Sequence, residues 1–132
     1  MSHGATSERG IMAKVLLVGY IRELLEERNN VFHAAGHQTT MAASPQAAYK
    51  AIEEDIFDAA VLGCNLPEQE RNQMARQLTY RNSNTKIVMI YLLSVKNTAP
   101  ADALLPTTSS AQEVLRAVNH VLKTKKNPKT DS

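Results

Sequence analysis

The chain has one cysteine, no tryptophan, five glycines and aromatic residues at only 5% of its 132 positions. A lone thiol, Cys64, cannot build an intrachain disulfide framework, which suits a reducing compartment. With so few rings, aliphatic side chains and methionine must fill the interior. No apolar run exceeds strand length and no secretory signal is read, so a soluble cytoplasmic protein without membrane contacts is expected. The glycines do not cluster into a phosphate-binding loop. Behind the first apolar run stands Val18-Gly19-Tyr20-Ile21-Arg22, which lacks the dinucleotide and P-loop signatures, and no nucleophile elbow occurs elsewhere.

The formal net charge of +2 resolves once it is divided along the chain. Lys123, Lys125, Lys126 and Lys129 stand against Asp131 in residues 123–132, leaving eleven basic and twelve acidic side chains in residues 1–122. The positive excess belongs to a basic tail or linker rather than to a folded face. A nucleic-acid groove is therefore not expected.

What is present is an alternation of short apolar runs and helical spacings. Residues 1–13 carry no periodicity and are expected to be a disordered lead; residues 14–122 form the domain. Lys14 to Val18 reads as a strand, and Leu24, Leu25, Phe32 and Ala35 mark a helix that Gly36 stops. Gln38 to Ala42 is a weaker strand, followed by Ser44-Pro45 as helix cap and first helical residue. Ala59 to Leu62 and Lys86 to Leu93 are buried-strand signals, with a helix from Glu68 to Tyr80 between them. Ala103 to Leu105 suits a short fifth strand. Ser109 and Ser110, each followed three residues later by Gln112 or Glu113, offer overlapping capping boxes for a last helix with an apolar stripe of Val114, Leu115, Val118, Val121 and Leu122. This order predicts an α/β fold with a doubly wound parallel sheet. Between the fourth and fifth strands only Ser94 to Asp102 is available, too short and turn-like for a full crossover helix.

The most informative position is Gly63. Phe57-Asp58-Ala59-Ala60-Val61-Leu62-Gly63-Cys64-Asn65-Leu66-Pro67 is a buried strand running into a loop and a helix, the place where open α/β sheets carry chemistry. Gly63 itself offers no nucleophile.

Together with Lys14 to Val18, the spacing to Gly36, the apolar strand ending in Tyr91, and Ala101-Asp102-Ala103-Leu104-Leu105, this segment resembles the receiver domain of bacterial response regulators over residues 14–122. The resemblance implies a CheY-like, flavodoxin-like sheet of five strands in the order 2-1-3-4-5, with the fourth helix shortened or absent. In active receivers an aspartate ending strand three takes a phosphoryl group, two acids after strand one help hold magnesium, and a hydroxyl residue and a lysine read the phosphate. The roles follow from chemistry: a carboxylate nucleophile, hard oxygen ligands, and donors for the developing charge. Carried over by position, these roles fall on Gly63, on Gly19 and Tyr20, on Tyr91 and on Thr107.

Every role is thus vacant, which implies neither phosphorylation nor catalysis and no Mg²⁺ binding. The resemblance points to a degenerate receiver of a two-component system that works as a phosphorylation-independent interaction or regulatory module. Its partner would be a protein, a second copy of the chain included, and Leu92, Leu93 and Val95 are candidates for the contact. Tyr20 and Tyr91 are candidates to cover the emptied pocket. The alternative is a flavodoxin-like small-molecule-binding or enzymatic domain using the same crevice, which would draw on Tyr20, Asn65, Tyr91 and Thr107. His33 and His37, four apart, are expected to be solvated helix-end histidines rather than metal ligands, because Gly36 separates them and no third ligand is adjacent.

Overall fold

The computed structural model describes residues 12–63, 65–91 and 101–124. Cys64, the candidate contacts Leu92, Leu93 and Val95 with most of the short crossover, and the greater part of the lead and tail lie outside the described residues. Along the chain come β1 (Lys14–Val18), α1 (Arg22–Ala34), β2 (Gln38–Ala42), α2 (Pro45–Glu54), β3 (Ala59–Leu62), α3 (Glu68–Arg81), β4 (Lys86–Tyr91), β5 (Ala103–Pro106) and α4 (Ala111–Leu122). The strands form one sheet in the order β2-β1-β3-β4-β5, and every neighbouring pair is parallel. This is the flavodoxin-like arrangement.

Near-continuous apolar strands require cover on both faces, and the period-two alternation divides their side chains between two cores. Leu16, Val18, Ala60, Leu62, Ile87 and Met89 pack with Ala48 and Ile52 of α2 and with Met74, Ala75 and Leu78 of α3. Val15, Leu17, Ala59, Val61, Val88 and Ile90 face the other way, onto Leu25 and Phe32 of α1 and Val114, Leu115, Val118 and Val121 of α4. Fully burying one such aliphatic side chain stabilises by about 1.5–3 kcal/mol, so the two cores carry the fold.

Local chemistry sets the helix ends. Ser44 Oγ accepts from the Ala47 N–H at 3.1 Å, with Pro45 in the first turn. Of the two overlapping capping boxes the one at Ser110 forms: Ser110 Oγ accepts from the Glu113 N–H at 3.1 Å, and Glu113 Oε1 accepts from the Ser110 N–H at 2.7 Å. Gly36 ends α1 with φ +97°, a conformation that needs glycine. At the far end of α4, the buried Lys86 ammonium donates to the carbonyls of Val121, at 2.8 Å, and Thr124. There it meets the negative end of the helix dipole.

One expectation fails at the N-terminal rim of the sheet. His37 is not solvated but 3% exposed. Its Nδ1 accepts from the Ala13 N–H at 3.1 Å, and its Nε2 lies 2.8 Å from Asn119 Oδ1. A buried ring satisfied at both nitrogens joins the start of β1, the start of β2 and α4. Gly36 does not leave the ring in solvent as its position past the helix suggests; it turns the chain so that His37 drops beneath Phe32, ring centroids 5.8 Å apart. At the same rim Asp55 ion-pairs with Lys14 Nζ at 2.7 Å and Asp58 accepts from the Lys14 N–H at 2.9 Å, anchoring roles at the opposite edge from the C-terminal strand ends. The neighbouring ammonium holds the Asp55 carboxyl below its usual range.

Candidate functional site

In an open parallel sheet, ligands bind outside the C-terminal ends of the strands where the strand order reverses. Here the reversal falls between β1 and β3, since the chain leaves β1 outward to β2 and later returns to place β3 on its other side. The residues that follow these two strands are Gly19 and Gly63.

The two glycines lie against each other. Gly63 donates its N–H to the Val18 carbonyl at 3.0 Å, and Gly19 donates to the Ala42 carbonyl at 3.1 Å. Among the described glycines only Gly36 has a positive φ, so Gly63 answers to space rather than to backbone conformation. A β-carbon on Gly63 would stand 3.1 Å from the Val18 carbonyl oxygen, 3.2 Å from the Asn65 side-chain amide and 3.5 Å from Gly19 Cα. At Gly19 the same addition meets only Leu25 Cδ1 at 3.8 Å and an Arg28 nitrogen at 4.0 Å.

Asn65 closes this junction. With its amide oriented to satisfy its neighbours, its oxygen accepts from the backbone N–H groups of Tyr20 at 3.0 Å and Ile21 at 3.3 Å. The N-cap residue of α1, Ile21, offers no side-chain cap of its own. Asn65 supplies an acceptor from the loop after β3 instead, tying the two loops of the switch point together.

Tyr20 leaves the end of β1 toward α3, packing against the core that includes Leu62 and Met74. Its hydroxyl donates to Glu70 Oε1 at 2.8 Å, in the first turn of α3. Burial, and then the hydrogen bond and charge of Glu70, push the phenol well above the usual tyrosine range. Tyr49 of α2 is raised as well, by burial and the same carboxylate, with Arg76 opposing. Tyr91 is half-buried opposite Pro106, and Thr107 is exposed beyond β5. Gly19, Tyr20 and Gly63 are thus brought together directly, whereas Tyr91 and Thr107 sit on the β4–β5 side of the same rim.

Sequence reasoning missed two buried arginines. Arg28 of α1 is 8% exposed and reaches up to Gly19. Arg71 of α3 is 3% exposed and donates Nη1 to the Ile90 carbonyl at 3.2 Å, while its buried Nε has no partner among the described residues. The signal was available: Arg71 stands at helical spacing with Met74, Ala75 and Leu78, on the inward stripe. A charge on an apolar stripe announces a buried group.

No protein-family model and no curated protein matches the chain. Solved structures do. A CheY-like response regulator receiver domain protein from Methanospirillum hungatei JF-1 superposes with a TM-score of 0.74 at 19% identity, covering 85% of this chain and 94% of that one. The receiver domain of the sensor histidine kinase PA1611 from Pseudomonas aeruginosa PAO1, solved with a magnesium ion in its active-site cleft, gives 0.72 at 16% identity over 86% of this chain and all 100% of its own. The chemotaxis response regulator CheY4 of Vibrio cholerae gives 0.68 at 20% identity, covering 84% and 99%. The chain has the receiver fold. At such identities the likeness concerns the fold alone. Within this receiver fold, the described residues contain no group of three His, Cys, Asp or Glu side chains placed to hold a metal ion, and no helix long and apolar enough to cross a membrane.

Proposed function

We propose that this receiver-fold domain is a cytoplasmic, phosphorylation-independent interaction module of two-component signalling, and not an enzyme. The observation that carries the proposal is the make-up of the switch point. By the resemblance the phosphoacceptor and the acidic pair fall on Gly63, Gly19 and Tyr20, which lie together at the switch point and offer no carboxylate. The donor set does not fit magnesium either, which needs several hard oxygens in near-octahedral array. The Asn65 oxygen is engaged by two backbone N–H groups, Glu70 is held by Tyr20, and the buried Arg71 cation sits on the Ile90 carbonyl at the same rim. The partner is a protein, and a second copy of this chain is included among the candidates.

The test is incubation with a small phosphodonor and, separately, with beryllofluoride, each with and without Mg²⁺. Intact mass and amide shifts should remain unchanged at every Mg²⁺ level. A covalent phosphoryl adduct, or a Mg²⁺-dependent shift at Gly63, refutes the proposal.

A further inference from the structure

β2 is the outermost strand on one side of the sheet, and among the described residues no strand pairs with its outer side. An open edge invites a further strand through its free N–H and C=O groups, and proteins ordinarily guard it with charges, proline or a bulge. Gln38-Thr39-Thr40-Met41-Ala42 has none of the three. All five side chains are uncharged, none is proline, and the register against β1 runs unbroken from the Lys14–Gln38 pair to the Val18–Ala42 pair. Gln38, Thr40 and Met41 are exposed along this edge.

The hydrogen bonds show which backbone groups are turned outward. Along a strand the N–H and C=O of one residue point to the same side, and the side alternates from residue to residue. Gln38 donates to the Ala13 carbonyl at 2.9 Å, and the Ala42 carbonyl accepts from Gly19 at 3.1 Å, so Gln38, Thr40 and Ala42 face β1. Thr39 and Met41 therefore face the open edge with two donors and two acceptors. A second copy of the strand, running antiparallel about a two-fold axis at Thr40, meets all four groups: Thr39 pairs with Met41 of the second copy, and Met41 with its Thr39. An axis at Thr39 or at Met41 would pair only that residue with its copy within the strand. The side chains suit the Thr40 axis, because Thr40 then stands opposite its own copy, and threonine pairs across strands are favourable. Donor meets acceptor at each place, and an uncharged strand meets itself without like-charge repulsion. This electrostatic self-complementarity selects a second copy of the chain as the occupant.

We propose that two copies of this chain associate through β2, antiparallel about a two-fold axis at Thr40, so that two five-stranded sheets become one continuous sheet. This rests on the reading of the domain as an interaction module and names its partner and its surface. A five-residue strand pair covers less than the roughly 1,200–2,000 Å² of a stable interface, so the dimer is weak, with a dissociation constant on the order of 100 µM.

The test is sedimentation velocity on the full chain at concentrations from about 10 µM to about 1 mM, bracketing that constant, with amide hydrogen exchange followed over the same range. The average mass should rise from monomer toward dimer, and exchange at the Thr39 and Met41 amides should slow with concentration. Thr40→Lys sets two ammonium groups opposite each other across the axis and should weaken association about tenfold or more, and Thr40→Glu should do the same with carboxylates. Mixing the two variants should restore a dimer, because unlike charges then face each other. Thr40 is exposed, so both variants should keep the circular dichroism spectrum of the parent. A parent that stays monomeric throughout overturns the proposal, as does undiminished association of Thr40→Lys alone or a mixture that fails to associate. Protection of Thr39 and Met41 that does not depend on concentration also overturns it, since the edge is then covered from within the chain. No phosphodonor or Mg²⁺ enters these measurements, so a monomeric result leaves the phosphorylation test standing, and the two proposals fail separately.

Discussion

Replacing Gly63 by alanine tests the geometry on which the functional argument stands. The added methyl carbon would lie 3.1 Å from the Val18 carbonyl oxygen and 3.2 Å from the Asn65 amide, closer than ordinary van der Waals contact. Asn65 is exposed and can give way, but the Val18 carbonyl cannot move freely because it accepts the Gly63 N–H at 3.0 Å. Overpacking of a tight site costs about 1–3 kcal/mol. Against it stands the reduced entropy of the unfolded chain, which favours alanine over glycine by about 0.4–1 kcal/mol where φ permits. The net expectation is a loss of about 1 kcal/mol.

Gly19→Ala is the internal control. Its methyl would meet Leu25 at 3.8 Å and Arg28 at 4.0 Å, ordinary contacts, and its φ is not in the left-handed region. Only the entropy gain remains, so this variant should be more stable than the parent by about 0.4–1 kcal/mol. Urea unfolding followed by circular dichroism separates the two. With a slope of about 1–3 kcal/mol per molar, the midpoints should differ by roughly 1 M, Gly63→Ala lower and the slopes unchanged. If Gly63→Ala proves as stable as Gly19→Ala, the close approach of β1 and β3 is not as described. Gly63→Asp should suffer the same strain and acquire no phosphoryl group, since Gly19 and Tyr20 still provide no metal ligand.

Tyr20→Phe should cost about 1 kcal/mol near neutral pH, the net worth of its hydrogen bond to Glu70. Because the folded phenol is raised above its unfolded value, its contribution is intact below the ordinary tyrosine range and fades as pH rises through and beyond it. Alkaline denaturant unfolding should therefore show a shallower pH-dependent loss in Tyr20→Phe than in the parent; equal slopes would refute the assignment. Lys86→Met leaves the last carbonyls of α4 without their cation and should cost about 1–3 kcal/mol, with faster amide exchange at Lys123 and Thr124. Unchanged protection there would show that the ammonium does not hold the helix end.

The architecture was legible because its determinants are local and periodic. Ala59 to Leu62 is apolar at every position, as only a strand covered on both faces tolerates, and β3 has those bounds. Ser44-Pro45 and the Ser110 box placed two helix starts through backbone chemistry that is written in adjacent residues. The fourth strand is described from Lys86 to Tyr91; Leu92 and Leu93, which continue the apolar run, lie outside the described residues. The likeness to receivers in order and spacing is matched by the solved structures in fold.

What escaped was tertiary pairing. Nothing near His37 in the chain names Ala13 or Asn119 as its partners, so its place just past a helix-ending glycine suggests solvent where the fold supplies burial. Tyr20 could be placed at the strand end from its position, whereas its bond to Glu70, fifty residues on, required the packing of α3 across the sheet. Arg71 shows the opposite failure. Met74, Ala75 and Leu78 lie at helical spacing and mark the inward stripe, yet Arg71 shares it, against the general expectation that charges lie on the solvent face.

The electrostatics of the rim bear on whether its glycines are independent changes. In a receiver that uses magnesium, several carboxylates face one another, and two like charges about 4 Å apart repel by about 4 kcal/mol at an effective dielectric constant of 20 unless a cation intervenes. That arrangement is stable only with a metal, protons or a basic partner. Here the same rim holds Gly19 and Gly63 in contact, a tyrosine whose hydroxyl is given to Glu70, and a buried guanidinium. Among the described residues the ends of β1 and β3 carry no carboxylate, while α3 brings Glu68, Glu70 and the buried Arg71 to the rim. Restoring one aspartate would set a carboxylate against the Val18 carbonyl without any metal to join it. Gly19, Gly63, the Tyr20–Glu70 contact and Arg71 thus make one rim in which, among the described residues, no carboxylate stands between the ends of β1 and β3.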